Sequence, residues 1–223
     1  MPELEVLPDA GLVAQRGAEL IAEAAEEAIA ERGGFSIAAS GGTDPWEMYR
    51  RLSWLGPDWE RVQVLQVDER VAPDGDPDRN LTHLLETLPK AGRPRVQPMP
   101  VTERDLDAAA REYAAALPPS IDLVHLGLGP DGHTASLVPG DPVLEVDHRR
   151  VAMTGTYQGH RRMTLTYPEL DRAGRILWLI TGERKREPLA RLMAGDRSIP
   201  AGRVRATDAV VVADRAAAGS LQT

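Results

Sequence analysis

The 223-residue sequence predicts an α/β fold: one domain over residues 1–223, with a mainly parallel, doubly wound sheet flanked by helices. Two observations carry this. Short apolar runs alternate with longer helical patterns along the whole chain. No repeat, low-complexity tract or linker interrupts that alternation, and 42% hydrophobic with 27% charged residues is globular composition.

The elements follow in order. Ala and Glu dominate the segment from Asp9 to Arg32, and Gly33-Gly34 ends it as a helix. Phe35 to Ser40 reads as a buried strand. Gly41-Gly42-Thr43-Asp44-Pro45 follows, and Pro45 suits the first turn of a helix reaching Trp54. Val62 to Val67 is the next strand, with Asp68 at its carboxyl end. A Pro- and Asp-rich loop leads to Arg79 and a helix from Asn80 to Leu88. Arg95 to Gln97 is a short strand. Thr102-Glu103-Arg104-Asp105 has the capping-box pattern and opens a helix ending near Leu117. Ile121 to Leu128 is a strong strand, and a short helix is expected from His133. Val151 to Thr156, Arg162 to Thr166, Arg175 to Thr181 and Ala209 to Ala213 read as strands. A helix lies between Glu183 and Met193, started or kinked by Pro188.

Composition excludes several functions. The formal net charge is −8, from 26 basic and 34 acidic residues, with no basic block. Such a chain is a poor general binder of nucleic acid or anionic lipid. Lys90 and Lys185 are the only lysines, which singles out each of them. The absence of cysteine excludes thiol catalysis, disulfides and Cys-ligated zinc. Met1-Pro2-Glu3-Leu4-Glu5 is acidic where an export signal needs basic residues. The longest apolar run, Ile176 to Ile180, is far short of the roughly 20 residues that cross a bilayer. A cytoplasmic protein, monomeric or a small homo-oligomer, without nucleic-acid or membrane partners, is the expectation.

In an open parallel sheet, sites form beyond the carboxyl ends of the strands. That rule selects three loops. Ser40-Gly41-Gly42-Thr43 can expose backbone N–H groups to an anion, most naturally phosphate, or serve as an ordinary turn. Asp44 beside a phosphate is repulsive unless it points away. Asp68-Glu69-Arg70 offers a carboxylate for a sugar hydroxyl and an arginine for a phosphate, or a surface salt-bridge cluster. Asp74, Asp76 and Asp78 do not make a calcium loop, because Arg79 and Leu85 occupy its sixth and twelfth positions.

The third loop is Gly127-Leu128-Gly129-Pro130-Asp131-Gly132-His133-Thr134. It matches the dinucleotide fingerprint literally, but Pro139-Gly140 leaves no room for the long helix that fingerprint needs. Acid–base chemistry fits better. His133 at a helix amino terminus would be neutral near pH 7 and usable as a base. Backbone N–H groups of the same turn could stabilise an oxyanion, and Asp131 could orient the loop or the ring. His125 reads as core or lining, and His83, His148 and His160 give no zinc spacing. No G-x-S-x-G or P-loop signature is present. Arg161-Arg162, of which one could face inward, and Gly182-Glu183-Arg184-Lys185 are candidates to complete an anion pocket.

These blocks occur together in an order that resembles a known family. Ser40-Gly41-Gly42, Asp68-Glu69-Arg70, Leu126 to Gly140 with its D-G-H-T-A-S-L-x-P-G core, Arg162-Met163-Thr164-Leu165-Thr166 and Gly182 to Lys185 are similar to 6-phosphogluconolactonases. These belong to the glucosamine-6-phosphate isomerase/deaminase superfamily. The similarity runs from about residue 8 to 215. It implies hydrolysis of 6-phospho-D-glucono-1,5-lactone without a metal or cofactor. It also implies His133 as the catalytic histidine and Asp131 as its partner. Gly41, Gly42, Thr43, Asp68, Arg70, Gly129, Gly132, Arg162 and Lys185 become candidates for holding the phosphorylated substrate, and Arg79 and Arg161 are further cations near them. The chain departs from the pattern at Asp44, Arg79 and Pro188. Rival readings are the deaminase branch and a sugar-phosphate sensor. The first lacks its glutamate, replaced by Val138, and its tyrosine, replaced by Arg70. The second lacks a DNA-reading module.

Overall fold

The computed structural model describes residues 2–89 and 92–221, with the backbone but not the side chains of Thr43 and Asp44. Ten strands and seven α-helices are formed among these residues. The strands are β1 (Glu3–Leu7), β2 (Phe35–Ala39), β3 (Val62–Gln66), β4 (Asp68–Arg70), β5 (Arg95–Gln97), β6 (Leu123–Leu126), β7 (Val151–Tyr157), β8 (His160–Leu165), β9 (Arg175–Ile180) and β10 (Ala209–Asp214). The helices are α1 (Ala10–Arg32), α2 (Thr43–Leu55), α3 (Asn80–Thr87), α4 (Leu106–Ala116), α5 (Tyr167–Leu170), α6 (Arg186–Met193) and α7 (Arg215–Ala218).

Seven strands make one parallel sheet in the order β1-β10-β9-β6-β2-β3-β5. The period-two alternation of side chains divides each central strand between two cores. Phe35, Ile37 and Ala39 pack with Val13, Ile21, Met48 and Leu52 of α1 and α2 on one face. Ala38, Leu65, Val124, Leu126 and Trp178 pack with Tyr113 of α4, Leu189 of α6 and Met163 of β8 on the other. Every residue of β2 is buried, as expected of a strand covered on both sides.

Local chemistry sets the helix ends. The Asp9 carboxylate accepts from the Leu12 N–H at 2.9 Å, and Gly33 closes α1 at φ +78° with its N–H on Ile29 O. A Cβ on Gly17 would meet Met48 Sδ at 2.7 Å, so this glycine lets α1 lie close against α2. Pro188 sits in the first turn of α6, where its missing N–H costs nothing.

Three expectations need correction. Asp68-Glu69-Arg70 is not a loop but β4, which joins β8 and β7 in a separate antiparallel sheet. The cap of α4 is Asp105, which accepts from Ala108 N–H at 2.9 Å, so the helix begins after the Thr102 box rather than at it. The helix expected from His133 is absent, because its loop closes on itself. The edge strand β1 and the short helices α5 and α7 went unread in the sequence.

Candidate active site

The strand order reverses direction beside β2. The chain leaves β2 toward β3 on one side, and leaves β6, its other neighbour, toward β9. Loops that diverge in this way open a crevice at the carboxyl ends of the strands. A cavity of about 700 Å³ lies there, lined by the loops after β2 and β6 together with β4, β8 and the turn before α6.

Ser40-Gly41-Gly42 forms one wall. A Cβ on Gly41 would collide with the Asn80 side chain, whose Nδ2 donates to the Asp68 carbonyl at 3.1 Å. Gly42 caps α2 at φ +132°, a conformation open to glycine, and itself brings no side-chain hydrogen bond to that end. The amino terminus of this thirteen-residue helix therefore presents backbone donors beside the cavity. The side chains of Thr43 and Asp44 lie outside the described residues, so the contacts expected of them are not placed.

The opposite wall carries His133. Gly129 N–H donates to His133 O at 2.8 Å and Gly132 N–H to Gly129 O at 3.0 Å, which folds residues 129–133 into a tight turn. Gly132 stands at φ +82° with Ile199 against it. Gly129 lines the cavity and Gly132 does not, and the N–H groups of both are engaged within the turn rather than offered as oxyanion donors. A Cβ on Gly129 would fall on the His133 ring, so this glycine makes the imidazole's seat. No helix terminus acts on the ring. A carboxylate does: Asp131 Oδ1 lies 2.5 Å from His133 Nδ1 and 3.2 Å from its backbone nitrogen. Partial burial raises the Asp131 carboxyl, but the charge of His133 and these bonds outweigh it and leave the group below its ordinary value.

Cations line the remainder. On β8, Arg162 points inward and is buried, whereas Arg161 is exposed. Arg162 Nη1 lies 3.5 Å from Ser136 Oγ and 4.0 Å from Asp68 Oδ2. Burial lowers its guanidinium from the ordinary value, and the Asp68 charge opposes that shift. Asp68 is buried too, accepts from Ser136 Oγ at 2.5 Å, and is raised by desolvation. Arg70 lines the cavity with its Nη1 donating to Asp78 O at 2.5 Å. Lys185 lines it from the turn before α6, joined by Arg184. Asp131 lies behind the ring of His133 rather than on the cavity wall.

Arg79 is elsewhere. Its side chain is buried with Nε 3.0 Å from Glu69 Oε2, and Nη1 donates to Ala72 O. Glu69 is fully buried and also accepts from the N–H groups of Arg70, Asn80 and Leu81. Arg79 is a structural ion pair, neither a cavity cation nor a solvated charge. His125 is fully buried in β6, with Nδ1 3.0 Å from Tyr49 Oη and no hydrogen-bond partner on Nε2. Burial drives it down to about 3. The other histidines hold surface contacts, such as His160 Nε2 with Asp78 Oδ2 at 3.0 Å. Among the described residues, no group of three or more His, Cys, Asp or Glu could hold a metal ion. No helix among them is long and apolar enough to cross a membrane.

Asn80, Gln158 and Tyr157 are not among the site candidates that the sequence offers, and Arg184 is offered only within the Gly182–Lys185 segment. Gln158 and Gly159 turn the β7–β8 hairpin at φ +49° and +85°, the sign pattern of a two-residue type I′ turn. The adjacent Gly159 was a usable signal for that hairpin. Nothing local indicates that the hairpin reaches the His133 loop.

The family model described as glucosamine-6-phosphate isomerases/6-phosphogluconolactonase matches residues 8–213. A 6-phosphogluconolactonase of Synechocystis is 34% identical over 169 residues, 69% of this chain and 69% of that protein. One of Nostoc is 30% identical over 204 residues, 86% of this chain and 85% of that protein. A crystal structure of a 6-phosphogluconolactonase from Shewanella baltica superposes with a TM-score of 0.86 at 24% identity, covering 96% of this chain and 98% of that one. By the match along nearly its whole length, the chain belongs to the glucosamine-6-phosphate isomerase/6-phosphogluconolactonase family.

Proposed function

We propose that this protein hydrolyses 6-phospho-D-glucono-1,5-lactone to 6-phospho-D-gluconate, with His133 as general base. The observation that carries the reading is that His133, bound through Nδ1 to Asp131, lines a cavity walled by cations. Relatives named 6-phosphogluconolactonase support the substrate. Two cores share one central sheet, which supports one domain over the chain.

In the neutral ring, Nδ1–H donates to Asp131 and Nε2 keeps the lone pair. A water gives its proton to Nε2 as its oxygen bonds the lactone carbonyl carbon. The tetrahedral oxyanion then collapses, the bond from that carbon to the ring oxygen breaks, and Nε2–H protonates the departing oxygen as a hydroxyl. The carboxylic acid formed loses its proton to solvent. Arg70, Arg162, Lys185 and the amino terminus of α2 supply positive potential for the phosphate and the oxyanion, and Gly41 and Gly42 line the cavity beside that terminus. Asp68, which lines the cavity, meets a sugar hydroxyl in this reading. Val138 is buried in the core, so the branch that needs a carboxylate five residues past the histidine has none here.

The test is decay of the lactone in buffer with and without purified protein. The expected result is acceleration above the spontaneous rate, unaffected by EDTA, with strong preference for the phosphorylated over the plain lactone. Equal rates on both would remove the anion pocket.

A further inference from the structure

We propose that Tyr157, at the tip of the β7–β8 hairpin, is a positioning residue that holds Asp131 and the His133 ring in register with the cavity. The inference rests on the role of His133 given above.

Three contacts converge on this side chain. Its hydroxyl donates to Asp131 Oδ2 at 3.3 Å, the oxygen that His133 does not use. Its ring stands edge-on to the imidazole, with centroids 5.5 Å apart and planes at 67°. The guanidinium carbon of Arg162 lies 5.2 Å from the centre of the same ring. One side chain thus touches the acid, the base and a cavity cation. Arg162 in turn faces Asp68 and Gln158, so the hairpin links two walls of the cavity. The hydroxyl bond is long for O–H···O, and its contribution is correspondingly modest. Burial and the Asp131 charge raise the Tyr157 phenol, which keeps it a donor.

Apart from Tyr157, the Asp131 carboxylate is held through Oδ1 alone, by the ring and the backbone N–H of His133, and the tyrosine fixes its second oxygen. Without the tyrosine, Asp131 can leave Nδ1, and the proton of the neutral imidazole then redistributes to Nε2, the atom that must accept from water. Tyr157 therefore acts through tautomer and orientation, without touching the substrate.

The experiment is Tyr157→Phe, which removes the hydroxyl and keeps the ring. ¹⁵N NMR of the His133 imidazole at alkaline pH reads the tautomer directly, with no need for turnover. The wild type is expected as the Nδ1–H form and the variant as a mixture. In lactone hydrolysis, kcat is expected to fall about three- to tenfold with KM within about twofold, and that loss to vanish in an Asp131→Ala background. An unchanged tautomer in Tyr157→Phe overturns the proposal, whatever the kinetics. A changed tautomer in a protein that does not hydrolyse the lactone leaves it standing and removes the functional reading instead.

Discussion

The α-carbon of Gly129 faces the imidazole of His133 so closely that a β-carbon would lie 2.0 Å from Nδ1. The imidazole and its partner Asp131 are thus seated by an absence of side chain at Gly129. Gly129→Ala should displace the ring while leaving the core intact. A misplacement of about 1 Å can cost about 10²-fold in rate. Steady-state kinetics should show that loss in kcat with little change in melting temperature, and a variant within about threefold of wild type would contradict the seat.

Lys185 and Arg70 line the cavity without packing into the core. If they hold the phosphate, Lys185→Ala should raise KM for the phosphorylated lactone by about 10-fold or more, the worth of a charge-assisted hydrogen bond. The rate on unphosphorylated gluconolactone should stay level. A matched loss on both substrates would place Lys185 outside the phosphate contact.

Arg79 gives the opposite expectation. It neutralises Glu69 in the interior. Removing one member of a buried pair typically costs about 3–5 kcal/mol, because the other charge is left uncompensated. Arg79→Met should lower the urea midpoint accordingly and leave KM unchanged in the protein that remains folded. A loss of KM without a loss of stability would return Arg79 to the site.

His125 makes stability depend on pH. Its folded value is depressed to about 3 from an ordinary 6.5, so between those values the unfolded chain binds the extra proton. Its neutral burial therefore leaves stability intact above about pH 6.5 and removes it as pH falls toward 3, by on the order of 5 kcal/mol across the window. His125→Leu should flatten the dependence of the denaturation midpoint on pH in that range. An unchanged slope would assign acid sensitivity to other groups.

The parallel sheet was legible because strand and helix patterns carry their own periods and punctuation. Asp9 and Gly33 mark α1 with a cap at each end, and Pro188 marks the start of α6. Pairing was not legible. Asp68-Glu69-Arg70 reads as a loop because three charged residues carry no strand period, and only the distant Met163 and Arg162 make it an edge of the small sheet. β1 escaped notice because Glu3-Leu4-Glu5-Val6-Leu7 is short, acidic and paired with β10 at the far end of the chain. At the site, the G-x-G-x-x-G-H pattern pointed to a histidine that lines the cavity, but the helix expected to begin there is absent. The ring is set by the Asp131 contact and the closed turn, not by a helix dipole. Arg161 and Arg162 are indistinguishable as letters, and only the pleat of β8 sends Arg162 inward.

The most direct test of the chemistry is the rate at which His133→Ala hydrolyses 6-phospho-D-glucono-1,5-lactone, corrected for spontaneous decay and measured beside wild type. A general base of this kind contributes about 10²–10⁴-fold, so the variant should lose at least about two orders of magnitude in kcat while still binding 6-phosphogluconate. A His133→Ala protein that turns over at the wild-type rate would show that the imidazole takes no proton in the reaction.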